Sequence, residues 1–354
     1  MAYYVPKKTS PPDKLPLHQL THIIFSFTEV IDNKMQFPNP KQPDLLKLLV
    51  KQKKKYPHLK VMIACGGWGG SGGFSDMAAT ATNRAKFVKS VYDFIQKYQL
   101  DGLDMDWEYP GLRGAGNTHR PEDKQNFTQL MKELREALDK TGRKQTLTFA
   151  SAGWERYYDH VETLEVLKYA DYMNVMTYDL AGGGSRITAH HTALGTPFVA
   201  SEQSEEARKI YKGKPAPSAQ RIIDYCLAMN VNPKQLVIGA AFYGRAWKGV
   251  KSKNNGLYQP NTGVYAGWLA YSKIRPDYEN KNGYVRYWDK EAQAPYLYNK
   301  EKEVFITYDD TASVRLKTQF VKQQKLGGIM FWELALDCEK ENLLDAIYNE
   351  SKKK

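Results

Sequence analysis

Asp101-Gly102-Leu103-Asp104-Met105-Asp106-Trp107-Glu108 is the stretch whose reading decides the fold of this chain. A β-strand alternates its side chains with period two. Asp104, Asp106 and Glu108 then share one face, and Leu103, Met105 and Trp107 share the other. Alternate residues on a strand attach roughly 7 Å apart. Carboxylates at that spacing repel, and burial penalises their charged forms. Three acids in file between bulky apolar residues therefore cost stability. One function that needs them is acid/base work, with one carboxyl held protonated near neutral pH. Asp101 is expected to be structural, tying a loop or a strand start.

Outward from this stretch, runs rich in Val, Ile and Phe read as strands at 2–5, 22–28, 59–65, 100–107, 146–151, 172–177, 236–242 and 327–332. Helical patterns fall between them, at 45–55, 83–98, 127–138, 161–168, 222–229 and 313–324, with a last one at 343–348. In 83–98 the apolar positions are 87, 91, 94, 95 and 98, which lie on one helical face. Repeated strand–helix alternation implies a parallel sheet, and eight strands in this pattern imply an α/β fold of the (β/α)8 TIM-barrel type. The polar stretch 185–217 reads mostly as loop. Residues 246–309 are rich in Tyr, Trp, Gly and Lys and lose the alternation. They read as a small α+β insertion domain between the seventh strand and the last helix–strand unit, leaving 1–245 and 310–354 for the barrel.

Composition narrows the partners. The chain has 354 residues and a formal charge of +12, but its lysines are scattered. Lys51-Gln52-Lys53-Lys54-Lys55 reads as the wet side of a helix. With no recognition motif beside the charge, nucleic acid is not expected. No apolar run reaches the roughly 18 residues of a membrane helix, so no membrane partner is expected either, and a monomer is. Cys65, Cys226 and Cys338 are odd in number and far apart, which spells neither a metal site nor a disulfide framework. The chain opens directly on Met1-Ala2-Tyr3-Tyr4-Val5, read as a strand rather than a leader. The expectation is a secreted or periplasmic protein whose leader is absent from this chain.

A barrel carries its chemistry at the carboxyl ends of its strands. Those ends here are Gly66-Gly67-Trp68, Asp106-Trp107-Glu108-Tyr109, Met176-Thr177-Tyr178-Asp179, Tyr243-Gly244-Arg245 and Phe331-Trp332-Glu333. Aromatic platforms with a few polar groups suit sugar rings, which offer C–H faces and hydroxyl edges. A phosphate site would want backbone N–H groups and cations with fewer acids. An Mg²⁺ or Ca²⁺ site is disfavoured, because such sites gather oxygens from several loops. From the first strand, Tyr3 or Tyr4 is placed to back the acids.

These motifs resemble those of the family-18 glycoside hydrolases, the chitinase family. Asp101-x-x-Asp104-x-Asp106-x-Glu108 is similar to the family signature, and Ala64-Cys65-Gly66-Gly67-Trp68 to its strand-three motif. Met176-Thr177-Tyr178-Asp179, Phe242-Tyr243-Gly244-Arg245 and Gly328-Ile329-Met330-Phe331-Trp332 resemble the motifs of strands six, seven and eight. The match extends over nearly the whole chain, and 246–309 sits where many members carry an insertion domain. The resemblance implies hydrolysis of β-1,4-linked N-acetylglucosamine in chitin or chito-oligosaccharides, without a cofactor or metal. It also implies the substrate-assisted route that sets this family apart from the two-carboxylate scheme. Glu108 would be general acid and then base. Asp106 would accept the acetamido N–H, and Asp104 would share its proton. Tyr178 would hold the acetamido oxygen for attack on C1, with an oxazolinium intermediate and retained configuration. Trp332, Trp68, Asp179, Tyr109, Met176, Tyr243 and Arg245 would bind sugar, with the insertion domain as one wall of a cleft. Glu333 is given no role.

Two other readings stay open. One is a non-hydrolytic glycan-binding lectin on the same barrel; family lectins commonly lose the acid, whereas Glu108 is present. The other is an endo-β-N-acetylglucosaminidase acting on N-glycans. Such enzymes generally have a more open site without the insertion.

Overall fold

Short runs of β-branched and aromatic residues form the strands of the computed structural model, which describes residues 1–7, 10–197 and 204–353. In chain order they are β1 (Ala2–Tyr4), β2 (His22–Ile31), β3 (Lys34–Gln36), β4 (Lys60–Gly66), β5 (Gly102–Asp106), β6 (Thr146–Ala152), β7 (Tyr172–Met176) and β8 (Leu236–Ala241). A second group follows, β9 (Tyr243–Lys248), β10 (Gly263–Ala270), β11 (Val285–Asp289), β12 (Ala294–Asn299) and β13 (Val304–Thr307). The chain then returns to the first sheet with β14 (Gly328–Trp332).

The first sheet has the order β1-β14-β8-β7-β6-β5-β4-β2-β3 and is closed by parallel pairing of β1 with β2. Apart from β3, an antiparallel hairpin partner of β2, its strands make the eight-stranded barrel expected from the alternation. The helices are α1 (Gln42–Lys51), α2 (Phe74–Ala78), α3 (Ala81–Tyr98), α4 (Asp123–Asp139), α5 (Thr163–Val166), α6 (Glu205–Tyr211), α7 (Ala219–Ala228), α8 (Tyr271–Asp277), α9 (Thr311–Gln323) and α10 (Leu343–Lys352). The second sheet is antiparallel, in the order β10-β9-β13-β12-β11, with α8 between β10 and β11.

Two compact units are formed, Met1–Val175 with Asn230–Val237, and Met176–Met229 with Ile238–Lys354. In the first, α4 buries Phe127, Leu130, Met131, Leu134 and Leu138, the apolar face that its spacing predicts. Trp107 stacks on Phe74 at 5.3 Å between ring centres and meets the edge of Phe127 at 5.8 Å. Trp107 of the acid-bearing stretch thus turns to α2 and α4. Asp101 is structural, as expected: its carboxylate accepts Val61 N at 2.9 Å and pairs with Lys53 at 2.6 Å.

In the second unit, the described part of 185–217 is mostly loop, as expected, with one short helix, α6, that the sequence reading did not place. Ser204 caps it by accepting from Ala207 N at 3.0 Å, and it buries only Ala207. A helix so polar leaves no apolar period to read. Residues 198–203 of that stretch lie outside the described residues.

Candidate active site

The carboxyl file is built in the first unit. Asp104, Asp106 and Glu108 are all buried, at 0, 4 and 8% exposure. Asp104 lies between Ala64 of β4 and Thr148 of β6 in the strand register. Ala64 brings no polar side-chain group, so the donors come from elsewhere. Tyr3 Oη donates to Asp104 Oδ2 at 2.9 Å. Thr148 Oγ1 and Asn174 Nδ2 donate to Oδ1 at 2.5 and 3.0 Å. Burial pushes the Asp104 carboxyl above its ordinary range, and these three bonds offset part of the rise.

Asp106 has no such support. Its Oδ1 is buried without a hydrogen-bond partner. Burial, then the charges of Glu108 and Asp104, hold its carboxyl well above the usual range. Two raised carboxyls beside a third acid make a set that stores a proton at a pH where free carboxylates have lost theirs.

Main-chain bonds hold the end of this strand. Gly67 N and Ser71 Oγ donate to Asp106 O at 2.8 and 3.1 Å. Glu108 N donates to Ser71 Oγ at 2.9 Å, and Asn117 Nδ2 donates to Glu108 O at 3.1 Å. Gly66 adopts φ +115°, and a Cβ there would stand 2.0 Å from Asp106 O. Only glycine lets β4 close on the acid-bearing strand at this point. Beyond Glu108, Tyr109 meets Trp68, Trp154 and Tyr157 edge-on at 6.4, 5.4 and 5.9 Å. Trp68 is 57% exposed, so its face is free to take an apolar ring.

The second unit holds the other site candidates. Tyr178 is buried, with its ring against Gly239 and its Oη 3.9 Å from Met330 Sδ. Thr177 Oγ1 donates to Gly239 O at 2.6 Å and accepts from Gly239 N at 2.9 Å, which locks this stretch to β8. Asp179 turns in the left-handed region at φ +56°. Arg245 Nε donates to Asp179 Oδ1 at 2.6 Å, and His191 Nδ1 stands 3.6 Å from the same oxygen. Burial opposes ionisation of Asp179, but His191 and Arg245 outweigh it and hold the carboxyl below the usual range. The Arg245 guanidinium also lies over the Tyr243 ring, 5.8 Å from its centre. Met176 and Trp332, both half-buried, end β7 and β14.

Some participants escaped the sequence reading. Thr148, Asn174, Trp154, His191 and Trp268 carry no motif. Thr148 sits between Leu147 and Phe149 on β6, with alternation as its only signal. Trp268 is 46% exposed and lies 5.9 Å from the Tyr243 ring. Tyr3, not Tyr4, backs the acids; Tyr4 Oη donates to Ser10 O at 2.6 Å instead. Among the described residues, no group of three or more His, Cys, Asp and Glu is placed to hold a metal ion. No described helix is long and apolar enough to cross a membrane.

The arrangement suits proton transfer to a bound group flanked by aromatic faces. Comparison with known proteins agrees. The pattern described as Glycosyl hydrolases family 18 matches residues 1–337. Chitinase A1 of Niallia circulans is 42% identical over 303 residues, 82% of this chain but 42% of that protein. Chitinase B of Serratia marcescens is 30% identical over 387 residues, 93% of this chain and 75% of that protein. A solved family 18 N-acetylglucosaminidase from Paenibacillus barengoltzii superposes with a TM-score of 0.88 at 37% identity, covering 99% of this chain and 98% of that one.

Proposed function

The chain belongs to family 18 of the glycosyl hydrolases, and on that premise we propose that it is a chitinase. It hydrolyses β-1,4 linkages between N-acetylglucosamine units with retained configuration. Glu108 protonates the glycosidic oxygen and later draws a proton from water. Asp106 accepts the acetamido N–H once its own proton has moved toward Asp104. Tyr178 donates to the acetamido oxygen and keeps it aimed at C1, a positioning contribution. The N-acetyl group of the substrate is the nucleophile, so no enzyme carboxylate attacks the sugar. Trp68 and Tyr109 take one sugar face, and Trp332, Met176, Asp179, Tyr243 and Arg245 take others. The antiparallel sheet of β9–β13 with α8 is the insertion domain of this reading. Chitin is an insoluble polymer, which places the proposed site of action outside the cell.

The observation that carries the proposal is the unequal pair Asp104 and Asp106. One acid is supplied with three donors and the other is left with an orphaned buried oxygen. Nothing in packing requires that arrangement, whereas a carboxyl that must shed and regain a proton does. The likeness to the Paenibacillus N-acetylglucosaminidase favours a second reading, release of single sugars from chain ends. One digest separates the two. N-acetylchitohexaose is incubated with the protein, and early products are resolved by size and anomer. Initial β-anomeric oligosaccharides support the chitinase, and β-anomeric monomer from the first time points supports the exo reading. An initial α-anomer overturns the acetamido route for both.

A further inference from the structure

His191 is fully buried in the second unit and has an unusual choice of partners. Its Nε2 lies 3.2 Å from Tyr243 O, and its Nδ1 lies 3.6 Å from Asp179 Oδ1. A main-chain carbonyl and a carboxylate are both acceptors only. A neutral imidazole has one N–H and one lone pair, so it can satisfy only one of them. At 3.6 Å the Asp179 contact is open, and Nδ1 has no hydrogen-bond partner. The neutral ring therefore bonds Tyr243 O and turns a lone pair toward a carboxylate. A second proton would remove that clash and close the gap to about 2.8 Å, the length of a charge-assisted bond.

We propose that His191 is a positioning residue that acts through Asp179: a second proton on its ring closes the bond to that carboxylate and sets it, beside Arg245, for the sugar. Oδ1 of Asp179 already accepts from Arg245. A second donor on the same atom fixes the carboxylate plane. The consequence is tighter sugar binding on the acid side of neutrality, with no demand on the bond-breaking step.

The groups around the ring set where this happens. Asp179 and Asp309 favour the charged ring, while burial and the Arg245 guanidinium oppose it. Lys317, 2.7 Å from Asp309, takes up much of that second acid's charge. Tyr243 lies 5.2 Å away, ring to ring, and Thr307 Oγ1 accepts the main-chain N–H of His191, not a ring N–H, at 3.1 Å. His190 turns instead to Asp289, at 3.1 Å. Burial wins and holds the ring below the ordinary histidine value of about 6.5. The second proton is therefore present at acid pH and is lost as pH rises toward neutrality, while Asp179 stays ionised throughout.

This inference rests on the chitinase reading only through the sugar contact of Asp179, and the test has one arm free of it. In the first arm, ¹⁵N NMR follows the His191 ring of the full chain against pH, with Asp179→Asn for comparison. The proposal expects His191 to hold its second proton less tightly in the variant, by about tenfold. Equal titration in both proteins would overturn it. In the second arm, kcat and KM for N-acetylchitotetraose are measured from pH 4 to 8. Wild-type KM should rise about threefold or more across the His191 titration. His191→Asn, which keeps a donor but cannot titrate, should give a KM that stays flat over this pH range. A variant KM that follows the wild-type profile would overturn the proposal. If the wild type turns over no chito-oligosaccharide, the chitinase reading fails and the NMR arm still decides the link between His191 and Asp179.

Discussion

Asp104 and Asp106 lie two residues apart on one strand face, both buried, yet Asp104 accepts three side-chain hydrogen bonds while Oδ1 of Asp106 accepts none. Donors stabilise a carboxylate, and their absence favours the acid. The proton that the cluster retains is therefore best housed on Asp106, with Asp104 as its charged neighbour. On the proposed route, a group that gives up this proton when a sugar amide arrives is held ready for it, at a cost in stability.

That cost is measurable. The folded-state pKa of Asp106 is raised, so its contribution to stability is full below the ordinary carboxylate value of about 4 and is lost as pH rises through the folded value. Asp106→Asn carries no such penalty. Thermal unfolding should show the variant more stable at pH 7 by about 1 kcal/mol, with the gain shrinking toward pH 4. Hydrolysis should be largely lost in the same protein. A variant that melts below the wild type at pH 7 would count against the account of the acid pair.

Glu108→Gln removes the proposed proton donor and keeps the shape. Its backbone bonds to Ser71 and Asn117 involve main-chain atoms and survive the change. Turnover of N-acetylchitohexaose should fall by about 10² to 10⁴, the range for losing a general acid. Binding of the same oligosaccharide, read by calorimetry, should change less than about threefold. Unaltered turnover would remove Glu108 from the reaction.

The parts legible in sequence were those with a period or a motif. Alternation placed Asp104 and Asp106 together and turned Trp107 toward Phe74 and Phe127. Strand–helix alternation gave the barrel. What stayed hidden depended on contacts between distant strands. Tyr3, Thr148 and Asn174 come from three strands, 101, 44 and 70 residues from Asp104, and meet only when the sheet curves. Local pattern carries no record of such meetings. The helix α6 was hidden for a different reason, since it buries almost nothing.

Trp154 belongs to that hidden set, and its ring lies 5.4 Å from Tyr109 in the patch that includes Trp68. If the patch stacks on sugar, Trp154→Ala removes both a contact and a support for Tyr109. KM for N-acetylchitohexaose should rise about fivefold, from roughly 1 kcal/mol of aromatic contact, with a smaller effect on kcat. Steady-state kinetics on the hexamer check this, and an unchanged KM would make the patch ordinary packing.

The ion pair of Lys317 with Asp309 is fully buried, at 2.7 Å. Thr192 Oγ1 and Ala241 N also donate to Asp309 Oδ2, each at 3.0 Å, and Ser313 Oγ donates to Oδ1 at 2.7 Å. Burial holds the Lys317 ammonium below its usual range. Removing one partner leaves a buried charge, so Lys317→Met should destabilise by about 3 kcal/mol. The remaining donors to Asp309 keep the loss at the low end. Urea unfolding measures it, and adding Asp309→Leu should recover part of the loss; a neutral single variant would refute the pair's structural role.

Gly239 ties packing to chemistry. It lies on β8 with both of its main-chain polar groups bonded to Thr177 Oγ1. A Cβ at this position would stand 2.7 Å from Tyr178 Cε1 and 2.9 Å from Met330 Cε. Met330 can swing its flexible end aside, but the Tyr178 ring is buried and stiff, so the ring must move. A shift of about 1 Å at a group proposed to aim the acetamido oxygen can cost about 10²-fold in rate. Gly239→Ala should therefore cut kcat for chito-oligosaccharides by at least about tenfold. Overpacking alone would cost about 1 to 3 kcal/mol of stability, which a melting curve reads separately. The decisive comparison is Gly239→Ala combined with Tyr178→Phe. If the glycine acts by placing the tyrosine hydroxyl, the double variant should be no slower than Tyr178→Phe alone. Multiplying losses would mean that the added methyl harms catalysis by another route.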